Sequence, residues 1–85
     1  MEQEIILRNY YKLRICSDLE YEKMVVDIVY KNQTILTLNQ EHGINKIEFK
    51  FYCTNISNDE IFTVLDFIYV LEEAKKLLIK INKNL

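Results

Sequence analysis

The chain has 85 residues, of which 49% are hydrophobic and 28% are charged. A chain of this length forms one domain, residues 1–85, and this composition is typical of folded globular proteins and not of disordered ones. Its 13 acidic and 11 basic side chains give a net charge of −2, which excludes a global field that attracts nucleic acid or an anionic membrane. We therefore expect a small globular domain with neither nucleic acid nor membrane as a partner.

The compartment is predicted from the absence of export signals. No apolar run reaches the roughly 20 residues that span a bilayer, and Glu2 and Glu4 make the N-terminus acidic where a signal peptide is basic. Cys16 and Cys53 could pair, but two cysteines without a secretory signal are more often reduced thiols. The sequence thus predicts a cytoplasmic protein.

Apolar and polar residues alternate with period two through the first part of the chain, which predicts β-strands. The alternation is broken by short polar segments and by the only glycine, Gly43, for which we expect a turn with positive φ. The strands are expected over residues 5–16, 24–30, 35–38 and 46–52. Connections this short between successive strands predict a four-stranded antiparallel meander.

A helical pattern follows the strands. Ser57 and Glu60 have the spacing of a capping box, and Ile56 and Ile61 are placed to form a hydrophobic staple, so we expect a helix over residues 58–82. Apolar residues recur there at three- and four-residue intervals, at Ile61, Val64, Leu65, Ile68, Leu71, Ala74, Leu78 and Ile81. The predicted fold class is α+β, a four-stranded antiparallel meander with one long C-terminal helix packed across one face (ββββα).

A single helix can cover only one face of the sheet. The face expected to meet the helix carries Leu7, Tyr11, Leu13, Val26, Ile28, Leu36, Leu38, Ile47, Phe49 and Phe51. The opposite face carries Arg8, Tyr10, Lys12, Arg14, Val25, Asp27, Val29, Ile35, Glu48, Lys50 and Tyr52. Such a mixture is typical of a solvated sheet face, yet tyrosine and arginine are also enriched at interfaces, so Tyr10 and Tyr52 are candidate partner-binding residues.

Catalytic and metal-binding patterns are weak in this sequence. The one histidine, His42, lies in a predicted loop, and its spacing from Cys16 and Cys53 matches no zinc motif. Tyrosines and basic residues on the first strand also occur in single-strand nucleic-acid platforms, but the negative net charge argues against that function. We therefore predict a protein that is not an enzyme and has no metal or cofactor.

An acidic cluster is the strongest candidate binding feature. Asp18, Glu20 and Glu22 occupy alternate positions, so an extended backbone would direct their carboxylates to one side. One interpretation is a solvated loop, because unpaired carboxylates cost least in water. The other interpretation is a docking patch for a basic protein surface, to which Glu41 would add a fourth carboxylate.

Three segments carry a resemblance to a known class: CSDLEYE at residues 16–22, LNQEHG at residues 38–43 and LEEAKK at residues 71–76. They resemble small bacterial immunity proteins of contact-dependent growth inhibition and other polymorphic toxin systems. The resemblance implies a cytoplasmic antitoxin that binds and neutralises a cognate toxin domain, many of which are nucleases with basic clefts. The alternative is a small homodimeric adaptor or regulatory subunit that binds another protein through the open sheet face or through the helix side bearing Phe62 and Tyr69.

Overall fold

The computed structural model describes residues 3–52, 56–57 and 59–83. It is an α+β fold in which a five-stranded antiparallel sheet, in the order β1-β2-β3-β4-β5, is followed by one C-terminal helix. The strands are β1 Gln3–Ile6, β2 Tyr11–Cys16, β3 Val25–Tyr30, β4 Gln33–Asn39 and β5 Glu48–Phe51, and the helix α1 is Val64–Asn82. The predicted meander is confirmed, but with five strands instead of four. None of the described helices is long and apolar enough to cross a membrane.

The additional strand arises from a tight turn inside the segment predicted as one strand over residues 5–16. Asn9 and Tyr10 have φ angles of 56° and 70°, and the Tyr11 N–H donates to the Arg8 carbonyl at 3.1 Å. Two consecutive positive φ angles define a type I′ turn, whose twist matches that of a hairpin. The chain therefore reverses here, and β1 lies antiparallel to β2 with Ile5 opposite Leu13.

A second turn of the same type joins β3 to β4. Lys31 and Asn32 have φ angles of 47° and 68°, and the Lys31 N–H donates to the Tyr10 carbonyl at 3.1 Å. The two turns therefore lie side by side at one end of the sheet. Gly43, between β4 and β5, has a φ of 101°, which confirms the predicted positive-φ turn.

The core lies between α1 and the central strands. It contains Tyr11, Leu13, Val26, Ile28, Tyr30, Leu36, Leu38, Val70, Ala74 and Leu78. The helix packs mainly on β3 and β4 and leaves β5 largely uncovered. Phe49 and Phe51 lie opposite Leu38 and Leu36 on the helix side of the sheet, yet they are 45% and 69% exposed. The expectation that the helix covers these two phenylalanines is wrong.

A β-bulge changes the position of Ile35. Ile28 pairs with Leu36 while Val29 pairs with Thr34, so Ile35 is an extra residue in β4. A bulge residue breaks the alternation of side chains between the two faces. Ile35 consequently packs against the helix-side core, and its predicted place on the opposite face is wrong.

The helix begins six residues later than the capping-box prediction. Its N-cap is Thr63, whose hydroxyl accepts from the Asp66 N–H at 3.2 Å. Residues that the pattern assigned to the core face of the first two turns are therefore exposed. Val64, Leu65 and Ile68 of α1, together with Ile61 just before the helix, form an exposed apolar surface that we call the exposed helix stripe.

The Ser57–Glu60 pair has a different role. It closes a turn in which the Glu60 N–H donates to the Ser57 carbonyl at 3.0 Å. The Glu60 carboxylate accepts from the Tyr30 hydroxyl and the Lys31 ammonium, both at 2.6 Å, and these hydrogen bonds, that of Lys31 foremost, lower the pKa of Glu60. The carboxylate is thus bound to the β3–β4 turn and does not cap a helix.

The sheet face away from the helix is not bare at its centre. Val25, Val29 and Thr37 are at most 1% exposed there. Asp27, whose side chain is 13% exposed, accepts from the Thr37 hydroxyl at 2.6 Å and from the Cys16 thiol at 3.3 Å. This face therefore has a small buried centre of its own.

Candidate protein-binding site

Asp18, Glu20 and Glu22 lie in the connection between β2 and β3, which we call the acidic loop (residues 17–24). The Tyr21 N–H donates to the Asp18 carbonyl at 3.1 Å, and the Glu20 N–H donates to the Asp18 carboxylate at 2.9 Å. Asp18 thus starts a turn of the kind that aspartate favours. Residues 18–21 therefore form a turn and not the extended backbone that would direct the three carboxylates to one side.

Glu41 holds the base of the acidic loop. Its two carboxylate oxygens accept from the backbone N–H groups of Glu22 and Lys23, at 2.9 and 3.0 Å. Hydrogen bonds to an ionised acceptor are about twice as strong as neutral ones. Glu41 therefore lies beside Glu22, but it binds the loop backbone and is less available to a partner.

Asn82, in the last turn of α1, also binds the backbone of the acidic loop. Its amide oxygen accepts from the Met24 N–H at 3.2 Å, and its amide nitrogen donates to the Met24 carbonyl at 3.1 Å. Three successive loop N–H groups, those of residues 22, 23 and 24, thus donate to the side chains of Glu41 and Asn82, which lie in other parts of the chain. Because Glu41 and Asn82 are distant in sequence from the loop, no local pattern could have revealed these three hydrogen bonds.

The tip of the acidic loop is strongly exposed. Leu19 is fully exposed, and the 61%-exposed Glu20 side chain lies 3.8 Å from the Lys50 ammonium of β5. The same ammonium lies 5.7 Å from the centre of the Tyr52 ring. Tyr21 is half-buried, and the pKa of its hydroxyl is raised, first by burial and next by the charge of Glu20.

Five of the six predicted site residues thus lie on or near the acidic loop, and the sixth does not. Asp18, Glu20 and Glu22 are within the loop, Glu41 holds its base, and Tyr52 follows β5 beside Lys50. Tyr10 lies at the opposite end of β2, where its ring packs edge-on against Tyr30 at 6.4 Å. The candidate surface therefore consists of the acidic loop and the neighbouring part of β5.

The other candidate metal-binding side chains do not form a cluster among the described residues. His42 is exposed, with its Nε2 atom 3.7 Å from the Glu48 carboxylate, and Cys53 lies outside the described residues. Within the described ranges, no three His, Cys, Asp or Glu side chains are grouped so that they could hold a metal ion.

Comparisons with known proteins give no relative. The chain matches no protein-family model, no curated protein and no solved structure. The fold class, an antiparallel sheet with one C-terminal helix, therefore rests on the structure itself, and the resemblance to immunity proteins stays a prediction.

Because the Glu41 carboxylate binds the backbone of the acidic loop, we predict that the conformation of this loop depends on pH. The hydrogen bond from the Glu22 N–H, together with that from Lys23 and the charges of Lys23 and His42, lowers the pKa of Glu41 despite partial desolvation. A carboxyl whose pKa is lowered on folding stabilises the fold above its unfolded pKa, about 4.3, and loses this effect as the pH falls through its folded value. We expect the amide proton shifts of Glu22 and Lys23 to titrate together in NMR spectra, with a midpoint below the unfolded carboxyl value.

The control for this titration is Glu41→Gln, which keeps the side-chain shape and removes the charge. Both amide shifts should then differ from the wild type at neutral pH and show no step in acid. Amide shifts that stay constant in the wild type throughout the acid range in which the chain remains folded would contradict the role of Glu41.

Proposed function

We propose that this chain is a non-enzymatic binding protein that neutralises a cognate bacterial toxin domain, in the manner of small bacterial immunity proteins. The observation that carries the proposal is the fixed acidic loop. Its backbone is held by Glu41 and Asn82, while Leu19 and Glu20 at its tip are exposed. An ordered loop loses little conformational freedom on binding, so more of its contact energy contributes to affinity.

The charge of the loop favours a basic target. Asp18, Glu20 and Glu22 lie within five consecutive residues, and Lys23 and Lys50 are the nearby cations. Concentrated negative charge accelerates association with a cationic surface and opposes association with nucleic acid. A nuclease domain with a basic cleft, which must itself bind phosphates, is a target with the required complementarity.

The proposal is tested with the toxin domain expected from the gene adjacent to that of this chain. Glu20→Lys combined with Glu22→Lys should weaken binding at least tenfold, because each replacement turns an attraction into a repulsion while the backbone contacts of the loop remain. Affinity and association rate are measured by surface plasmon resonance at two salt concentrations. Most of the loss should appear in the association rate and diminish at high salt.

The matched control is Glu72→Lys combined with Glu73→Lys, which changes the net charge equally on the helix. It should leave the affinity within about threefold of the wild type, since it acts only through long-range charge. Equal effects of the two double variants would show that the acidic loop is not the docking surface. No binding of any adjacent toxin domain, and no protection of cells from it, would refute the immunity function.

A second candidate function is that of a small adaptor, and the exposed helix stripe favours it. Leu65 is 77% exposed and Val64 is 74% exposed, on a helix whose opposite side is core. Contiguous apolar surface of this kind often marks a protein interface. Phe62 and Tyr69, which the sequence suggested for this role, are engaged elsewhere, since Phe62 packs on Tyr30 at 4.9 Å and the Arg8 guanidinium covers Tyr69 at 3.9 Å.

A further inference from the structure

Strand β5 is an edge strand, and among the described residues no strand pairs with its outer side. It is last in the sheet order, and the Tyr52 N–H donates to the Ile35 carbonyl of β4 at 3.0 Å. In an antiparallel pair, successive residues direct their N–H and C=O groups alternately toward and away from the neighbouring strand. The groups of residues 48 and 50 therefore point to β4, while those of Phe49 and Phe51 point outward.

The two faces of β5 carry different side chains, apolar on the helix side and charged on the opposite side. Phe49 and Phe51 lie on the helix side, with ring centres 5.1 Å apart, next to apolar grooves that run between β5 and the helix. Glu48 and Lys50 lie on the opposite side, and their side chains are 48% and 53% exposed. The strand thus presents one apolar and one charged row.

The charged row is complementary to itself when a second copy is turned antiparallel. If Phe49 of each copy lies opposite Phe49 of the other, each Glu48 faces the partner subunit's Lys50. The alternative register, with Phe49 opposite Phe51, would place two Lys50 side chains face to face. Opposite charges across a strand pair are stabilising and like charges are destabilising, so the charges favour the first register over the second.

We propose that two copies of this chain associate through their β5 edges, in the register centred on Phe49. The two-fold axis is perpendicular to the sheet, which places both helices on the same side of one continuous sheet. The outward N–H and C=O groups of Phe49 and Phe51 then find partners, and the phenylalanines of both copies meet between the helices. This inference does not rest on the toxin-binding proposal, although the two surfaces are adjacent, because Lys50 of β5 also lies 3.8 Å from Glu20 of the acidic loop.

The test uses charge reversal in the full chain. Lys50→Glu alone, or Glu48→Lys alone, places like charges opposite each other twice per dimer and should weaken the wild-type dimer roughly tenfold or more. A mixture of the two variants restores both attractive pairs. We expect each variant to sediment as a monomer at a concentration where the wild type and the mixture sediment as dimers in analytical ultracentrifugation.

Two controls separate this interface from others. Lys76→Glu makes the same change in net charge on the helix and should dimerise like the wild type. Leu65→Glu, in the exposed helix stripe, should also leave dimerisation unchanged.

Three results would overturn the proposal. They are a wild type that stays monomeric to about 1 mM, dimerisation of both β5 variants at wild-type strength, and loss of the dimer in Leu65→Glu. If the wild type is monomeric alone and β5 instead pairs with a strand of another protein, the proposal is also overturned.

Discussion

Replacing Leu78 by alanine should lower the free energy of unfolding by about 2–5 kcal/mol. Leu78 is fully buried between α1 and the sheet, and alanine would leave a cavity that the surrounding strands cannot fill. A domain of this size is stabilised by roughly 4–13 kcal/mol in total, so the loss is a large part of its stability. Urea denaturation followed by circular dichroism measures the change.

The matched control is Leu65→Ala, on the same helix and with the same change in volume. Leu65 is 77% exposed, so this replacement should change the stability by no more than about 0.5 kcal/mol. The two leucines belong to one apolar pattern in the sequence and are separated only by the structure. Equal destabilisation by both replacements would mean that the first two turns of α1 are packed in solution.

Replacing Asp27 by alanine should lower the free energy of unfolding by about 2–3 kcal/mol. Its carboxylate accepts from the Thr37 hydroxyl at 2.6 Å and from the Cys16 thiol at 3.3 Å, and it lies 3.8 Å from the Arg14 guanidinium. Without Asp27, the hydroxyl of Thr37, a residue only 1% exposed, would be left buried without this acceptor. Thermal denaturation of the wild type and the variant measures the effect.

A double-mutant cycle with Thr37→Val distinguishes this contact from a general loss of charge. Valine keeps the shape of threonine and removes the hydroxyl, so the two replacements together should cost at least about 1 kcal/mol less than the sum of the single ones. Strict additivity would show that Asp27 and Thr37 do not interact in solution.

The sequence predicted the larger features of the fold because they follow from periodicity. Alternation located β2, β3, β4 and β5, and spacing at three and four residues located the helix. The boundaries that it missed depend on choices between competing local signals. Both Ser57–Glu60 and Thr63–Asp66 have capping-box spacing, and only the second begins the helix because Glu60 is bound to Tyr30 and Lys31.

Other features could not be predicted because they depend on tertiary contacts. The turn at Asn9 and Tyr10 contains no glycine, and the hydrogen bond from Lys31 to the Tyr10 carbonyl comes from a second hairpin. Asn9 did interrupt the alternation, and this interruption was the one local signal of a reversal. The bulge at Ile35 left no mark on the apolar pattern.

The candidate site was predicted in its composition but not in its geometry. The sequence placed Asp18, Glu20 and Glu22 in a polar connection, and charge alone suggested a docking surface. The contacts that order the loop come from Glu41 and Asn82, which belong to other elements. Local sequence reasoning could not assign a structural role to either residue.

The way in which the acidic loop is fastened has an evolutionary consequence. Its anchors act on the backbone of residues 22–24, so they do not depend on the exposed side chains at positions 19 and 20, of which Glu20 lies 3.8 Å from the exposed Lys50 ammonium. Mutation can therefore exchange those two residues freely while the scaffold persists. A lineage built on this domain could acquire new recognition preferences at its tip without first having to acquire a new architecture.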